Sequence, residues 1–342
     1  MPFPATSHFA TAMNPSAILE AIRNVRILVI GDAMLDHYIW GDVNRISPEA
    51  PVPVLHVMRD SHSAGGAANV ALNVAALGGQ ASLMGMLGDD EAGRHLTRML
   101  GEAAIDISHC VVAPAVATIV KTRVIARTQQ LCRIDREAGR HAYALDAAEG
   151  IYELLESAMA NADALIISDY AKGVVTQSLI DQLLVLAEAR GVFVAVDPKP
   201  ARHLNLRGAH LLTPNRHEAL ELAGLPEPGH GEIYPLAEVC RLIHAEFAPK
   251  WLVITLGADG MAVSREGEVA HQLATEAREI FDVCGAGDTV IATLTAALAS
   301  GASAVEAASL ANRAAGVVVA KMGTATATAE EILNPSQAGF PG

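Results

Sequence analysis

"DALIISDYAKGVVTQSLIDQLLVLAEARGVFVAVDPK", residues 163–199, decides the fold class. An apolar run ending in Ser-Asp leads into a helical pattern at 175–190 and then into a second apolar run ending in Asp-Pro-Lys. Neither run alternates, so both read as strands buried on two faces, which is how strands look in a parallel sheet covered by helices on either side. The rhythm continues through "AHLLTPN" (209–215), another helix and "KWLVITLGADG" (250–260), and it is foreshadowed by "NVRILVIGD" (24–32). The expected architecture is α/β: three layers around a mostly parallel sheet. Ligands of such sheets sit beyond the carboxyl ends of the strands. Asp32, Asp169, Lys172, Asp197, Lys199, Asn215 and Gly257 all fall at those ends.

Two stretches break the rhythm. Residues 37–60 hold three prolines among short alternating runs, and 115–135 return to β-branched alternation with basic residues. Proline confines strands to edges, so together they read as a small exposed β flap beside one large domain at 24–330. Residues 1–23 read as a poorly structured leader and 331–342 as a tail. The leader has no basic segment running into a long apolar core and does not read as a signal peptide. Thr289–Val305 is uncharged, but the Ser300-Gly301 interruption marks a buried helix rather than a membrane span.

The composition excludes several functions. Of 342 residues, 51% are hydrophobic, enough for a large core, while aromatics at 4% cannot build a stacking platform for single strands. The net charge of −14 opposes binding to nucleic-acid backbones. Any anionic ligand must be met by local donors. The four cysteines, Cys110, Cys132, Cys240 and Cys284, show no CxxC spacing, which reads as a reduced, cytoplasmic protein without a structural zinc site.

Several short stretches carry chemistry. "DVCGAGDTV" (282–290) strips a turn of side chains and sets Asp288 at the mouth of a helix. There Asp288 either caps the helix or takes a proton beside an anion site of bare N–H groups from Gly285, Ala286 and Gly287. "GDAMLD" offers Asp32 and Asp36, either a turn cap and a surface group or two acceptors for a polyol. "AGGAAN" places Gly65 and Gly66 ahead of a helix with Asn69 in its first turn. In "TPNRHE", Asn215 and Glu218 either form a capping box or hold a hydrated Mg²⁺. "TLGADG", with Thr255, Gly257 and Gly260, is a plain hairpin or a nucleotide-phosphate contact. No GxxxxGK[ST] is present, and no GxGxxG follows the first strand, which argues against a Walker loop and a dinucleotide fold.

Taken in order, "AGGAANVALNVAALGG", "DPK", "TPNRHE", "TLGADG" and "DVCGAGDTVIATLTAALA" resemble the ribokinase-like (PfkB) family of carbohydrate kinases across residues 24–325. One departure is Val283-Cys284, where the family commonly carries Thr-Thr or similar before GAGD. Two further stretches, "GDAMLDHYIWGDVNRISPEAPVPV" and "RTQQLCRIDRE", resemble the heptose 7-phosphate kinases of lipopolysaccharide synthesis within that family. With no HxGH motif, the resemblance is to a stand-alone kinase that leaves adenylyl transfer to a separate protein.

The resemblance implies a mechanism and a set of roles. Phosphate would pass from ATP to O1 of D-glycero-β-D-manno-heptose 7-phosphate, with Asp288 as base and the Gly285–Asp288 backbone stabilising the phosphoryl charge. Asp32, Asp36, Gly65, Gly66 and Asn69 would hold the sugar. Lys199, Thr255, Gly257, Gly260 and Asn312 would meet the nucleotide, with Mg²⁺ held through water near Asn215 and Glu218. Lys172, Arg123, Arg127 and Arg133 are candidates for the 7-phosphate, Arg127 and Lys172 foremost. Cys284 would lie beside the ATP phosphates. The flap would close over the sugar and join a homodimer, with no membrane or nucleic-acid partner. Another PfkB-type sugar or nucleoside kinase, or a non-catalytic nucleotide-binding regulator, are the competing readings.

Overall fold

The computed structural model describes residues 13–229, 231–277 and 281–334. In chain order its strands are β1 (Arg26–Gly31), β2 (Ala33–Ile46), β3 (Pro53–Gly66), β4 (Gln80–Met84), β5 (Met86–Gly88), β6 (Val111–Ala113) and β7 (Ile119–Ala126). They continue with β8 (Gln129–Arg136), β9 (Ala164–Ser168), β10 (Phe193–Asp197), β11 (Leu211–Leu212), β12 (Trp251–Thr255), β13 (Met261–Arg265) and β14 (Glu268–Leu273). The α-helices are α1 (Pro15–Ile22), α2 (Ala67–Ala76), α3 (Glu91–Glu102), α4 (Ile151–Met159) and α5 (Gln177–Arg190). After them come α6 (Arg216–Leu222), α7 (Leu236–Phe247), α8 (Ala286–Ala299), α9 (Ala304–Val318) and α10 (Ala329–Leu333).

Eight strands form the central sheet in the order β14-β13-β12-β11-β10-β9-β1-β4. Pairing is parallel from β4 to β12, and β13 and β14 add an antiparallel edge. The pleat divides each buried strand between two cores, as a period of two requires. Ile27, Val29, Ile166 and Val253 face α1, α2, α8 and α9, while Leu28, Ile30, Leu165, Ile167, Leu252 and Ile254 face α4, α5 and α7. The three-layer α/β fold expected from the non-alternating runs is present.

The sheet reverses direction of growth at β1. From there the chain adds β4 on one side and β9, β10, β11 and β12 on the other, which opens a crevice beyond the ends of β1 and β9. Over that crevice stands a separate four-stranded sheet, β3-β2-β7-β8, built from the residues read as a flap. Its strands β2 and β3 are continuous with the core, since Asp32 follows β1 directly and Gly66 caps α2.

The leader expectation needs correcting. Residues 1–12 lie outside the described residues, but Asn14 caps α1 through a 2.8 Å bond from the Ala17 N–H, and Ile18, Leu19 and Ile22 are buried in the core. A leader read as poorly structured thus supplies a packed helix, because its apolar residues at positions 18, 19 and 22 share one face. Of the tail, 335–342 lie outside the described residues. No helix among the described residues is long and apolar enough to cross a membrane.

Candidate active site

Helix α8 starts on the GAGD turn. Gly285 is left-handed, with φ of 79°, and a Cβ there would stand 2.9 Å from Asn69 Nδ2, so glycine is required twice over. The first-turn N–H groups of α8 have no acceptor within the helix, and the positive end of its dipole points into the crevice. Asp288, in that first turn, is 3% exposed.

Its carboxylate is held by two donors, Asn69 Nδ2 at 2.7 Å from Oδ2 and the Tyr170 hydroxyl at Oδ1. Burial raises the Asp288 pKa to about 6, against the downward pull of the Tyr170 and Asn69 hydrogen bonds. A carboxylate in this range is largely ionised at neutral pH yet basic enough to accept a proton. Asn69 is steadied in turn by Asn73, whose Oδ1 accepts a 2.8 Å bond from the Thr289 hydroxyl. Tyr170 itself is half-buried, and its pKa is raised by desolvation and by Asp288.

On one side of Asp288 lies a cavity of about 570 Å³. Ala286, Gly287, Asn215, Thr255, Gly257, Gly260 and Asn312 all line it, as expected for the nucleotide side. Asn312 is 5% exposed and donates to the Ala274 carbonyl at 2.6 Å. Lys199 and Glu218 do not line this cavity. Lys199 instead meets Glu218 Oε1 at 2.8 Å, and Glu218 Oε2 accepts from the Asn215 N–H at 3.0 Å. The capping-box reading of Asn215 and Glu218 is therefore realised, and Lys199 is engaged as a partner of Glu218 rather than at the cavity wall.

On the other side of Asp288 the flap supplies charge. Asp36 is 3% exposed and is paired with Arg123 at 2.5 Å. The register sets Asp36 opposite Lys121, Tyr38 opposite Arg123, and Arg123 opposite Arg133, so one face of the flap collects all five side chains. Burial lowers the Lys121 pKa, and the neighbouring Lys172, Arg123 and Arg133 add to that while Asp36 opposes it. Lys172 is tied to Glu137, and Arg133 grips Asp135 at 2.9 and 3.0 Å. On the same face Trp40 Nε1 is buried with no hydrogen-bond partner among the described residues.

Several expected positions change role. Arg127 is 76% exposed at the β7–β8 turn, bonded to Asp42, about 20 Å along the strand from Lys121 at the usual rise of a strand. Asp32 has no exposure, and its two oxygens accept from the N–H groups of Tyr170, Lys172 and Val174 at 2.9–3.0 Å. It is a staple for the 169–174 loop, not an open acceptor for a sugar. Gly65 and Gly66 serve close packing: a Cβ would meet Asp36 Oδ2 at 2.3 Å or the Asp32 carbonyl at 2.2 Å. Cys284 does not line the 570 Å³ cavity; its thiol is pushed up to about 11 by burial and by Asp282, and it feels Arg123 and Asp36 on the flap side.

Two residues of this site escaped the sequence reading. Tyr170 sits just past the end of β9, where the strand-end rule points. Lys121 shares the i, i+2 spacing of Arg123, which marks a common face. Asp197 also converges here, its carboxyl held well above the ordinary range by burial and by nearby Glu218 and Asp288.

The model of the pfkB family carbohydrate kinases matches residues 25–331. The bifunctional protein HldE of Halorhodospira halophila is 46% identical over 314 residues, 92% of this chain and 64% of that protein. HldE of Paramagnetospirillum magneticum is 42% identical over 317 residues, again 92% and 64%. The chain thus spans less than two-thirds of the length of these relatives. Among solved structures, Arabidopsis thaliana ribokinase complexed with ribose and ATP superposes with a TM-score of 0.72 at 20% identity, over 92% of this chain and 99% of its own. Escherichia coli phosphofructokinase-2 in complex with potassium gives 0.73 at 21%, over 91% and 97%. These two share the fold. A base-like aspartate at a GAGD helix mouth, the ordered motifs around it and the match over nearly the whole chain lead to one conclusion: the chain belongs to the pfkB family of carbohydrate kinases.

Proposed function

We propose that this kinase transfers the γ-phosphoryl group of ATP to O1 of D-glycero-β-D-manno-heptose 7-phosphate. The observation that carries the reading is the convergence of Lys121, Arg123, Arg133 and Lys172 on the flap side of Asp288. Arg123, Arg133 and Lys172 already meet Asp36, Asp135 and Glu137, and a sugar phosphate, unlike a neutral sugar, would bring this cluster a further anion to bind. The likeness to HldE proteins and the "GDAMLD" and "RTQQLCRIDRE" stretches favour heptose as the sugar.

In this reading Asp288 removes the proton of the anomeric hydroxyl as its oxygen attacks phosphorus. Asn69 and Tyr170 orient the carboxylate so that one lone pair faces the hydroxyl. The α8 N–H groups stabilise the charge that gathers on the phosphoryl oxygens. Asp36, held by Arg123, accepts from sugar hydroxyls, and the flap excludes water when it covers them. ATP occupies the 570 Å³ cavity against Thr255, Gly257, Gly260 and Asn312.

The donor set fits Mg²⁺. Asp197 and Glu218 present carboxylate oxygens and Asn215 an amide oxygen, and the repulsion from Glu218 and Asp288, which adds to burial in raising the Asp197 pKa, is of the kind a divalent cation relieves. When bound, the ion would neutralise phosphate charge. A homodimer joined through the flap belongs to the same reading, supported by the exposed Val57 and Met58 on β3; sedimentation gives the mass directly.

A coupled ADP-release assay with heptose 7-phosphate, unphosphorylated heptose, fructose 6-phosphate and ribose decides the substrate. Turnover with heptose 7-phosphate should exceed that with the others. Preference for unphosphorylated heptose, ribose or fructose 6-phosphate would sink the proposal.

A further inference from the structure

The flap carries a second cluster on the face turned away from Asp288. His37 and His62 are direct partners across β2 and β3, and their rings stack 4.3 Å apart at 4°. Asp60 shares that face, two residues before His62, and its Oδ1 lies 2.7 Å from His37 Nε2. One ligand-type atom from each of His37, Asp60 and His62 lies within 4.8 Å of the others. His95, on α3, brings a third imidazole 4.7 Å from the His62 ring.

An assembly of this kind is poorly suited to three positive charges. The proton between His37 Nε2 and Asp60 is the one a metal ion would displace to solvent. On the far side of the ring, His37 Nδ1 stands 3.2 Å from Thr122 Oγ1, the outer hydrogen bond that typically fixes a ligating imidazole. His62 and Asp60 are exposed, so an ion can enter from solvent. Imidazole nitrogens with one carboxylate suit Zn²⁺, whereas Mg²⁺ and Ca²⁺ favour oxygen alone. The expectation of no zinc rested on cysteine spacing and does not bear on histidines.

We propose that His37, Asp60 and His62 form a Zn²⁺ site on the outer face of the flap, and that His95, outside this three-residue cluster but in ring contact with His62, turns in as fourth ligand and ties the flap to α3. The site adjoins the sugar side through the backbone. His37 follows Asp36 in β2, and Thr122 lies between Lys121 and Arg123 in β7. An ion there fixes, from behind, β2 with its Asp36, and through the His37–Thr122 contact it reaches β7, which carries Lys121 and Arg123.

The test uses the full chain stripped with a chelator and titrated with ZnCl₂ by calorimetry and with Co²⁺ by absorption. One ion per chain is expected, with the visible bands of tetrahedral Co²⁺. The exposed substitution His62→Gln, and separately His37→Gln, should weaken binding at least about tenfold at an unchanged melting temperature of the metal-free protein. Hydrogen exchange should slow on Zn²⁺ addition in β2, β3 and α3. Absence of saturable binding overturns the site, as does one-site binding that survives in the His37→Gln/His62→Gln double variant. A His95→Gln variant that binds Zn²⁺ as tightly as the parent, without loss of α3 protection, overturns the tie to the core.

Discussion

Asn69 Nδ2 lies 2.7 Å from Asp288 Oδ2 although 219 positions separate the two residues. Each stands in the first turn of its helix, α2 and α8, and those helices pack together on small side chains such as Ala67, Ala71 and Ala292. The two helix mouths thereby meet beneath the flap, and an amide donor is delivered to a buried carboxylate that has little access to water.

Replacing Asp288 with Asn tests the base directly, because Gly285 and not Asp288 holds the N-cap position of α8, and neither Asp288 oxygen caps its N–H groups. The variant keeps a near-isosteric side chain whose single oxygen can accept from Asn69 or from the Tyr170 hydroxyl but not from both, so the fold and ATP binding should be retained with a modest fall in melting temperature. Single-turnover phosphoryl transfer should fall by about 10²–10⁴-fold, the usual loss of a positioned base. Parent-like transfer in a folded, ATP-binding variant would rule the base out.

The pH profile should report Asp288. Burial lifts its pKa to about 6, so kcat/KM should decline as pH falls through that value and the carboxylate is protonated. Asn69→Ala removes a hydrogen bond that favours the charged form. Its acidic limb should therefore move to higher pH, with a lower plateau. An acidic limb at the same pH in both proteins would show that Asp288 is not the titrating group.

Lys121 and Arg127 make a contrasting pair. Lys121→Ala should raise KM for a sugar phosphate while sparing KM for ATP, by about 1.5–3 kcal/mol for a hydrogen bond to a charged group. Arg127→Ala, at the exposed tip of the flap, should leave both constants near the parent values. The reverse ranking would place the phosphate at the flap tip.

Thiol labelling should discriminate the cysteines. With its pKa raised to about 11 and its side chain half-buried, Cys284 should alkylate slowly at neutral pH, after the exposed Cys132. Peptide mapping over a time course measures the order, and first labelling at Cys284 would contradict the environment described for it.

Local pattern carried much of this protein. Apolar runs without alternation announced a parallel sheet, because a strand covered on both faces has no polar side to show. The GAGD turn announced a bare helix mouth, because only glycine tolerates the left-handed backbone and the nearness of Asn69. Even the capping box of Asn215 and Glu218 was legible, since a cap involves residues only three apart. Convergence was not legible in this way. Strand parity places Lys121 and Arg123 on one face, yet only the pairing of β7 with β2 turns that face towards Asp36 and leaves Arg127 at the far tip. The fate of Asp32 depended on three backbone N–H groups from a loop 138 to 142 positions away, a demand that no spacing records. Caps and turns are short-range contracts between neighbours and can be read from the chain; a site assembled from β2, α2, β7, the loop after β9 and α8 is decided by long-range register and packing, which exist only once the sheet has formed.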